Sequence, residues 1–312
     1  MPKLPIAGRI GTAISSPARP GEPGKVSALN GTFPTHQFTA APARGLSTRA
    51  IRNAAVWLLF ASGFLVFIEP APFEIAFGLV TLVFLVTGLK ISILFMPLIL
   101  LLITYNIGGG FSLMAVAEEA RAIWFIAISV YMAVMAVIIA AIFSEDTERR
   151  LALMKSGYAL AAVIASIAGI LGYFDVAGTF EYFTRNGRAM GTFKDPNVFS
   201  TFIVLPIVYI VQSFFLGTQR RPIVASIVLL ILVAGVFLSF SRGAWGVAVG
   251  AVALCLLLSF LTAPSARLRI RIVLISLFGI GLFVSLLLAA LQFDEIRATF
   301  EVRASLDQDY DC

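Results

Sequence analysis

Residues 73–107 read FEIAFGLVTLVFLVTGLKISILFMPLILLLITYNI, and their length and composition indicate the fold class of the chain. It is a run of thirty-five mostly apolar residues that is interrupted at Gly88-Leu89-Lys90. A single helix of this length would measure about 50 Å, whereas the hydrocarbon core of a bilayer is about 30 Å thick. The run therefore predicts two membrane-spanning helices joined by a tight turn at Lys90.

The rest of the chain follows the same plan. Of its 312 residues 59% are hydrophobic and 13% are charged, and the mean hydropathy is +0.96, far from the average of soluble domains. We therefore predict an all-α fold, a polytopic transmembrane helical bundle of about nine helices. Two of these lie in 73–107, and the others are expected at 54–68, 122–143, 157–177, 198–216, 223–240, 244–262 and 272–292.

Charge predicts the orientation of the helices. The net charge is +6, but the cations recur in short clusters between apolar runs, which is typical of topology signals and not of a nucleic-acid surface. With the N-terminus in the cytoplasm, sixteen of the twenty-three Lys and Arg residues lie inside. The predicted domains are a disordered cytoplasmic leader at 1–53, a transmembrane domain at 54–292, and a mixed-charge helical segment at 293–312 on the outer side.

Cysteine and histidine offer no metal site. Cys255 lies inside an apolar run and Cys312 is the last residue, so their spacing provides neither a disulfide framework nor a set of metal ligands. The single histidine, His36, has no Cys, Asp or Glu cluster around it and is interpreted as a solvated loop residue.

Residues 185–197, Arg-Asn-Gly-Arg-Ala-Met-Gly-Thr-Phe-Lys-Asp-Pro-Asn, form a cationic island on the predicted outer face, where basic residues are scarce. Asp195-Pro196-Asn197 is typical of a turn followed by a helix start. Free backbone N–H groups there, together with the guanidinium groups of Arg185 and Arg188, would suit a phosphate or pyrophosphate. The alternative is that these residues only cap the helix and contact lipid head groups.

A second, shorter island lies one helical hairpin later. Arg242 interrupts about thirty nearly continuous apolar residues close to the membrane boundary, where an arginine commonly faces a cavity or a partner. Ser239 and Ser241 add hydroxyl donors, and glycines at 243, 246 and 250 predict a face for close helix packing. An arginine that snorkels to lipid head groups is the alternative interpretation of Arg242.

With these residues in view, the chain resembles the O-antigen ligase and Wzy-type O-antigen and exopolysaccharide polymerase family, which are bacterial polytopic membrane glycosyltransferases. The likeness covers about residues 50–311. It rests on the segments Arg-Ala-Met-Gly-Thr-Phe-Lys-Asp-Pro-Asn at 188–197, Leu-Ser-Phe-Ser-Arg-Gly-Ala-Trp at 238–245, and Arg-Ala-Ser-Leu-Asp-Gln-Asp-Tyr-Asp at 303–311.

The resemblance implies cofactor- and metal-independent transfer of a glycan from undecaprenyl pyrophosphate to an acceptor hydroxyl, in lipopolysaccharide or exopolysaccharide biosynthesis. The acceptor would be a lipid A core sugar or a growing glycan, reached from the periplasmic face of the bacterial inner membrane. Arg188 and Arg242 would hold the pyrophosphate and stabilise its charge as it leaves, assisted by Lys194 and Arg185.

The chain departs from the family in one respect. Members have a catalytic histidine in a long periplasmic loop, and no residue here matches it, since His36 is assigned to the cytoplasmic leader. We therefore expect a C-terminally truncated family member whose catalytic residues are not all present. The alternative from a different class is a transporter or flippase of an anionic or lipid-linked solute, although no inverted repeat is evident.

Overall fold

The computed structural model describes residues 47–68, 71–114, 116 and 118–304. Most of the predicted leader, including His36, and residues 305–312 of the predicted outer segment lie outside these ranges. The described elements are, in chain order, α1 (Thr48–Ala61), α2 (Pro72–Thr87), α3 (Met96–Leu113), α4 (Ala120–Ser144), α5 (Thr147–Tyr173), α6 (Phe180–Phe183), β1 (Thr184–Arg185), β2 (Arg188–Ala189), α7 (Pro196–Leu216), α8 (Pro222–Leu238), α9 (Arg242–Thr262), α10 (Ala266–Ala290) and α11 (Asp294–Ala304).

The described chain is helical apart from one small hairpin, and six of its helices are long and apolar enough to cross a membrane. These are α3 with the 3-10 turn before it, α4, α5, α7, α9 and α10. α2 and α8 are apolar but have only 16 and 17 residues. The prediction of an all-helical membrane protein is thus confirmed at this level, while the count of nine spans stays a prediction.

The interruption at Gly88 separates two helices, as predicted. Gly88 ends α2 with φ +93°, a left-handed conformation that glycine adopts without steric cost. The chain then passes Lys90 and a 3-10 turn at Ile93–Phe95 before α3 begins at Met96. The predicted break between two helices is therefore confirmed. The connection is longer than the predicted tight turn at Lys90, because α3 begins only at Met96.

The first helix begins earlier than predicted. Its N-cap is Ser47, whose side chain accepts a hydrogen bond from the backbone N–H of Ala50, so helix is favoured from Thr48 onward. The predicted boundary of the leader at residue 53 is wrong by this measure, because 48–53 belong to α1. The helix also ends at Ala61, well before the predicted residue 68.

α5 lies at the centre of the bundle and packs against α1, α7 and α8. Its buried positions are mostly small, which lets neighbouring backbones approach closely, as is usual in membrane bundles. A Cβ atom placed on Gly157 would lie 2.7 Å from the carbonyl oxygen of Trp57 in α1. The buried residues of α5 are Arg150, Gly157, Ala161, Ala162, Ala165, Ser166, Ala168, Gly169 and Gly172.

Large apolar faces remain uncovered by the protein. α3 packs against α4 and buries none of its own residues. Val86, Leu94 and Phe278, on or beside three different helices, are 79%, 82% and 72% exposed. Apolar surface of this extent is unfavourable in water, so the packing agrees with a lipid environment.

The predicted packing face on α9 is not used within the chain. In the described part of the chain, no atom of another element lies within 4 Å of a Cβ built on Gly243, Gly246 or Gly250. α9 instead contacts α7 mainly through other residues, among them buried Cys255 and Ser259. The prediction of close helix packing through these glycines is therefore wrong for this chain by itself.

Candidate functional site

The first cationic island contains a β-hairpin that the sequence interpretation missed. β1 and β2 pair antiparallel, with Thr184 opposite Ala189 and Arg185 opposite Arg188. The two turn residues, Asn186 and Gly187, have φ +52° and +69°, both in the left-handed region that a type I′ turn requires. The Asn-Gly pair is a known hairpin signal, so the sequence did carry this information.

The hairpin is held against the end of α5. The backbone N–H groups of Met190 and Gly191 donate to the carbonyl oxygen of Phe183 over 2.9 and 3.1 Å. Gly191 has φ +55°, and a Cβ atom there would collide with the carbonyl oxygen of Ala165. Because glycine alone fits this contact, the segment between β2 and α7 lies directly on α5 and has a defined position.

Arg188 joins the two islands. Its Nε donates to the backbone carbonyl of Ser239 over 2.8 Å, fifty-one positions along the chain, and its Nη2 donates to Oδ1 of Asn197 over 2.9 Å. The guanidinium therefore bridges the hairpin, the start of α7 and the link between α8 and α9. The sequence interpretation named Arg188 but did not foresee Asn197 or the Ser239 carbonyl as its partners.

The start of α7 agrees with the predicted turn and helix start, with Asp195 as N-cap and Pro196 as the first helical residue. The carboxylate of Asp195 accepts from the backbone N–H groups of Asn197 and Val198, over 2.7 and 3.4 Å. The expectation that backbone N–H groups are free here is wrong for these two. Anion binding at this helix start would accordingly depend on the cationic side chains.

The other cations of the first island lie at the surface. Arg185 donates from Nη1 to the backbone carbonyl of Lys194 over 3.0 Å, and both of these side chains belong to exposed residues. Arg185 is also the cross-strand neighbour of Arg188. Like charges placed opposite each other on a hairpin repel, and a bound anion would relieve that repulsion.

The second island is a strained link between α8 and α9. Phe240 is 1% exposed and has φ +46°, an unusual conformation for a bulky side chain. Ser239 donates from Oγ to the Val236 carbonyl over 2.7 Å, and Ser241 caps α9 by accepting from Ala244 N. The hydroxyl of Ser239 thus donates to the local backbone and not to a ligand, whereas Ser241 accepts a hydrogen bond, so the prediction of Ser241 as a donor stays a prediction.

Arg242 is the first residue of α9 and is exposed, three positions after the carbonyl that Arg188 contacts. Three positions further along α9, Trp245 belongs to a group of stacked aromatic rings. Its ring centroid lies 5.9 Å from that of Phe237 and 5.7 Å from that of Phe300 in α11. α11 therefore packs against the same end of the bundle as the two islands.

A groove between α7 and α9 starts near this end and runs along both helices. Its volume is about 530 Å³, and it is lined by Thr201, Val204, Leu205, Val208, Gln212, Leu216, Val247, Ala251, Leu254, Cys255, Leu258, Ser259 and Thr262. Asn197 and Arg242 lie one to two helical turns above its first lining residues, Thr201 and Val247. The groove is thus mostly apolar along its length and lies below a cationic end.

The candidate site therefore combines four cations, Arg185, Arg188, Lys194 and Arg242, with Asp195, whose carboxylate is used as a helix cap. Such an arrangement can attract and hold an anion at the membrane boundary. Comparisons of the chain with protein-family models, with curated proteins and with solved structures find no match.

Proposed function

We propose that this chain binds the pyrophosphate of an undecaprenyl-linked glycan and belongs to the O-antigen ligase and polymerase type of membrane glycosyltransferase. The observation that carries the proposal is the contact of Arg188 with the Ser239 carbonyl, which joins two cationic segments distant in sequence. Each segment also carries part of the resemblance to that family.

The position of the α7–α9 groove supports a lipid-linked donor over a soluble one. A polyprenyl chain is apolar and long, and it would lie in the groove while its pyrophosphate stays at the cationic end. The proposed orientation places this end on the periplasmic face of the inner membrane. Acceptors there would be a lipid A core sugar or a growing glycan.

The proposed reaction is a displacement at the anomeric carbon of the donor sugar. The acceptor oxygen forms the new glycosidic bond, the bond between the sugar and pyrophosphate breaks, and the pyrophosphate leaves with the electron pair. Arg188 and Arg242, assisted by Lys194 and Arg185, would stabilise the negative charge that develops on it. The proton of the acceptor hydroxyl is released to water, and these residues account for donor binding and leaving-group stabilisation.

Donor binding by the purified chain in nanodiscs tests the proposal. We expect Arg188→Ala and Arg242→Ala each to weaken binding of undecaprenyl pyrophosphate at least tenfold, since each removes a charged hydrogen-bond donor, about 1.4 kcal/mol or more. The matched control is Arg297→Ala, because Arg297 is an exposed arginine of α11 at the same end that pairs with Glu301 over 3.2 Å.

Unchanged affinity in both site variants, or an equal loss in the control, would refute these roles. Transport of the lipid-linked solute by vesicles that contain only this protein would instead support the transporter interpretation.

A further inference from the structure

A second cluster of arginines lies at the other end of α5. It is formed by the first turns of α1 and α5, the end of α2 and the link between α4 and α5. Its central residue is Arg150, which is only 4% exposed and donates from Nη1 to Oδ1 of Asn53 over 2.9 Å. Among the residues that the structure describes, the buried Nε of Arg150 has no hydrogen-bond partner.

Within the described residues no carboxylate lies within 4.0 Å of the Arg150 guanidinium. The two acids of the α4–α5 link are engaged by other arginines, since Glu145 pairs with Arg52 and Asp146 pairs with Arg49 over 3.2 Å. A buried charge without an ionic partner is unfavourable, so this position calls for a negative group.

The groups around Arg150 add to the positive charge at this position. The guanidinium carbons of Arg52 and Arg150 lie 4.2 and 5.0 Å from the centroid of the same ring, that of Phe84, so two positive groups share one aromatic contact. Arg150 is also four residues after the N-cap of α5, where the helix dipole disfavours a cation. Arg150 thus shares the field of Glu145 and Asp146 with Arg49 and Arg52, and among the described residues it makes no ion pair of its own within 4.0 Å.

The cluster lies at one end of a helix that could span a membrane. α5 is one of the helices long and apolar enough to span a membrane, and Arg150 is near its end, at the level of a membrane boundary. Arg52 and Glu145 keep 17% and 21% of their side chains exposed, so the cluster reaches the surface. A guanidinium and a phosphate form paired, charge-assisted hydrogen bonds. A lipid with a net negative charge attracts the guanidinium more strongly than a zwitterionic lipid, whose phosphate charge is balanced within its own head group.

We propose that Arg150, together with Arg52, binds the phosphate of an anionic membrane lipid at this end of the bundle. The site is independent of the proposed donor site, because it lies at the opposite end of α5 and shares no residue with it. A soluble phosphate would offer the same oxygen ligands, so the experiment must separate the two sources.

The thermal stability of the full chain in nanodiscs tests this site. We expect phosphatidylglycerol in a phosphatidylcholine bilayer to raise the melting temperature of the wild type by several degrees. Arg150→Met should abolish most of that rise, and in pure phosphatidylcholine it should be at least as stable as the wild type, because it removes an uncompensated buried charge. The matched control is the adjacent, exposed Arg149: Arg149→Met loses the same formal charge and should keep the rise.

Lipid retention by the wild type supplies a measurement that needs no variant. Native mass spectrometry should show phosphatidylglycerol retained in preference to phosphatidylcholine, and Arg150→Lys, which loses the planar fork, should retain less of it. Equal retention of both lipids by the wild type, or an equal loss of the stability rise in both methionine variants, would overturn the site. A stability rise of the same size with inorganic phosphate in phosphatidylcholine nanodiscs would overturn the lipid as the source of the phosphate.

Discussion

At the scale of single residues, the candidate donor site depends on how one guanidinium is shared. Arg188 donates to the Ser239 carbonyl and to Asn197, and the sequence separation between these partners shows that Arg188 also holds the site together. The role of Arg188 in folding and its proposed role in donor binding can be measured separately. A substitution at its partner Asn197 is expected to change protein stability and donor affinity in opposite directions.

Replacement of Asn197 by aspartate is expected to have opposite effects on stability and binding. The carboxylate would form a charge-assisted pair with Arg188, so the melting temperature should stay the same or rise. The added negative charge should weaken binding of undecaprenyl pyrophosphate about tenfold, or ~1.4 kcal/mol. Thermal unfolding and donor binding, measured on one preparation, check both effects.

Asn197→Ser is the control, since it shortens the side chain without adding charge. If Asn197→Asp binds the donor as tightly as Asn197→Ser does, the proposed anion site is wrong. The Asp195 cap is left intact in both variants, so the start of α7 should be preserved.

At the scale of the helices, small residues decide how closely the elements approach. Gly157 is the clearest case, because a Cβ atom there would meet the backbone of α1 at Trp57. The close contact between α1 and α5 in turn positions Asn53 beside Arg150. The same helix therefore supports the donor site at one end and the arginine cluster at the other.

Gly157→Ala is expected to destabilise the protein by about 2 kcal/mol, because the added methyl group forces α1 and α5 apart. Gly78→Ala in α2 is the matched control, since no heavy atom lies within 4 Å of a Cβ built there. That variant should be neutral or gain up to ~1 kcal/mol from the better helix propensity of alanine. Thermal unfolding in detergent compares the two.

A similar loss in both glycine variants would show that helix propensity or lipid contact, and not the distance between α1 and α5, controls stability. A loss confined to Gly157→Ala confirms the steric explanation.

At the scale of the whole molecule, the two arginine-rich regions lie at opposite ends of α5, and the predicted topology places them on opposite sides of a membrane. Single cysteines test that topology, in a background in which Cys255 and Cys312 are serine. Tyr182→Cys, at an exposed position by the hairpin, should react with a membrane-impermeant maleimide in intact cells. Thr218→Cys, in the exposed link after α7, should react only after the membrane is permeabilised.

Labelling of both cysteines from outside, or the reverse order, would contradict the predicted orientation. It would also place the proposed donor site on a face where periplasmic acceptors are absent.

Much of the helical architecture could be predicted because it depends on local properties. The lengths of the apolar runs and the Gly88 interruption predicted where long helices form and where 73–107 divides, and Asp195-Pro196 predicted the start of α7. The hairpin at Asn186-Gly187 was predictable from the same kind of signal but was missed. The early start of α1 escaped prediction because a single cap, Ser47, extended the helix beyond the apolar run.

The sequence by itself determined that the chain is helical and apolar enough for a membrane, because backbone groups in hydrocarbon must be satisfied within each helix. It also identified Arg188 and Arg242 as exceptional. Tertiary packing brings Arg188 to the Ser239 carbonyl and buries Arg150 with no carboxylate of the described residues within 4.0 Å, and neither arrangement could be seen from the sequence. The physical reason is that contacts between distant segments depend on how helices pack, and packing is set by the shapes of many side chains together.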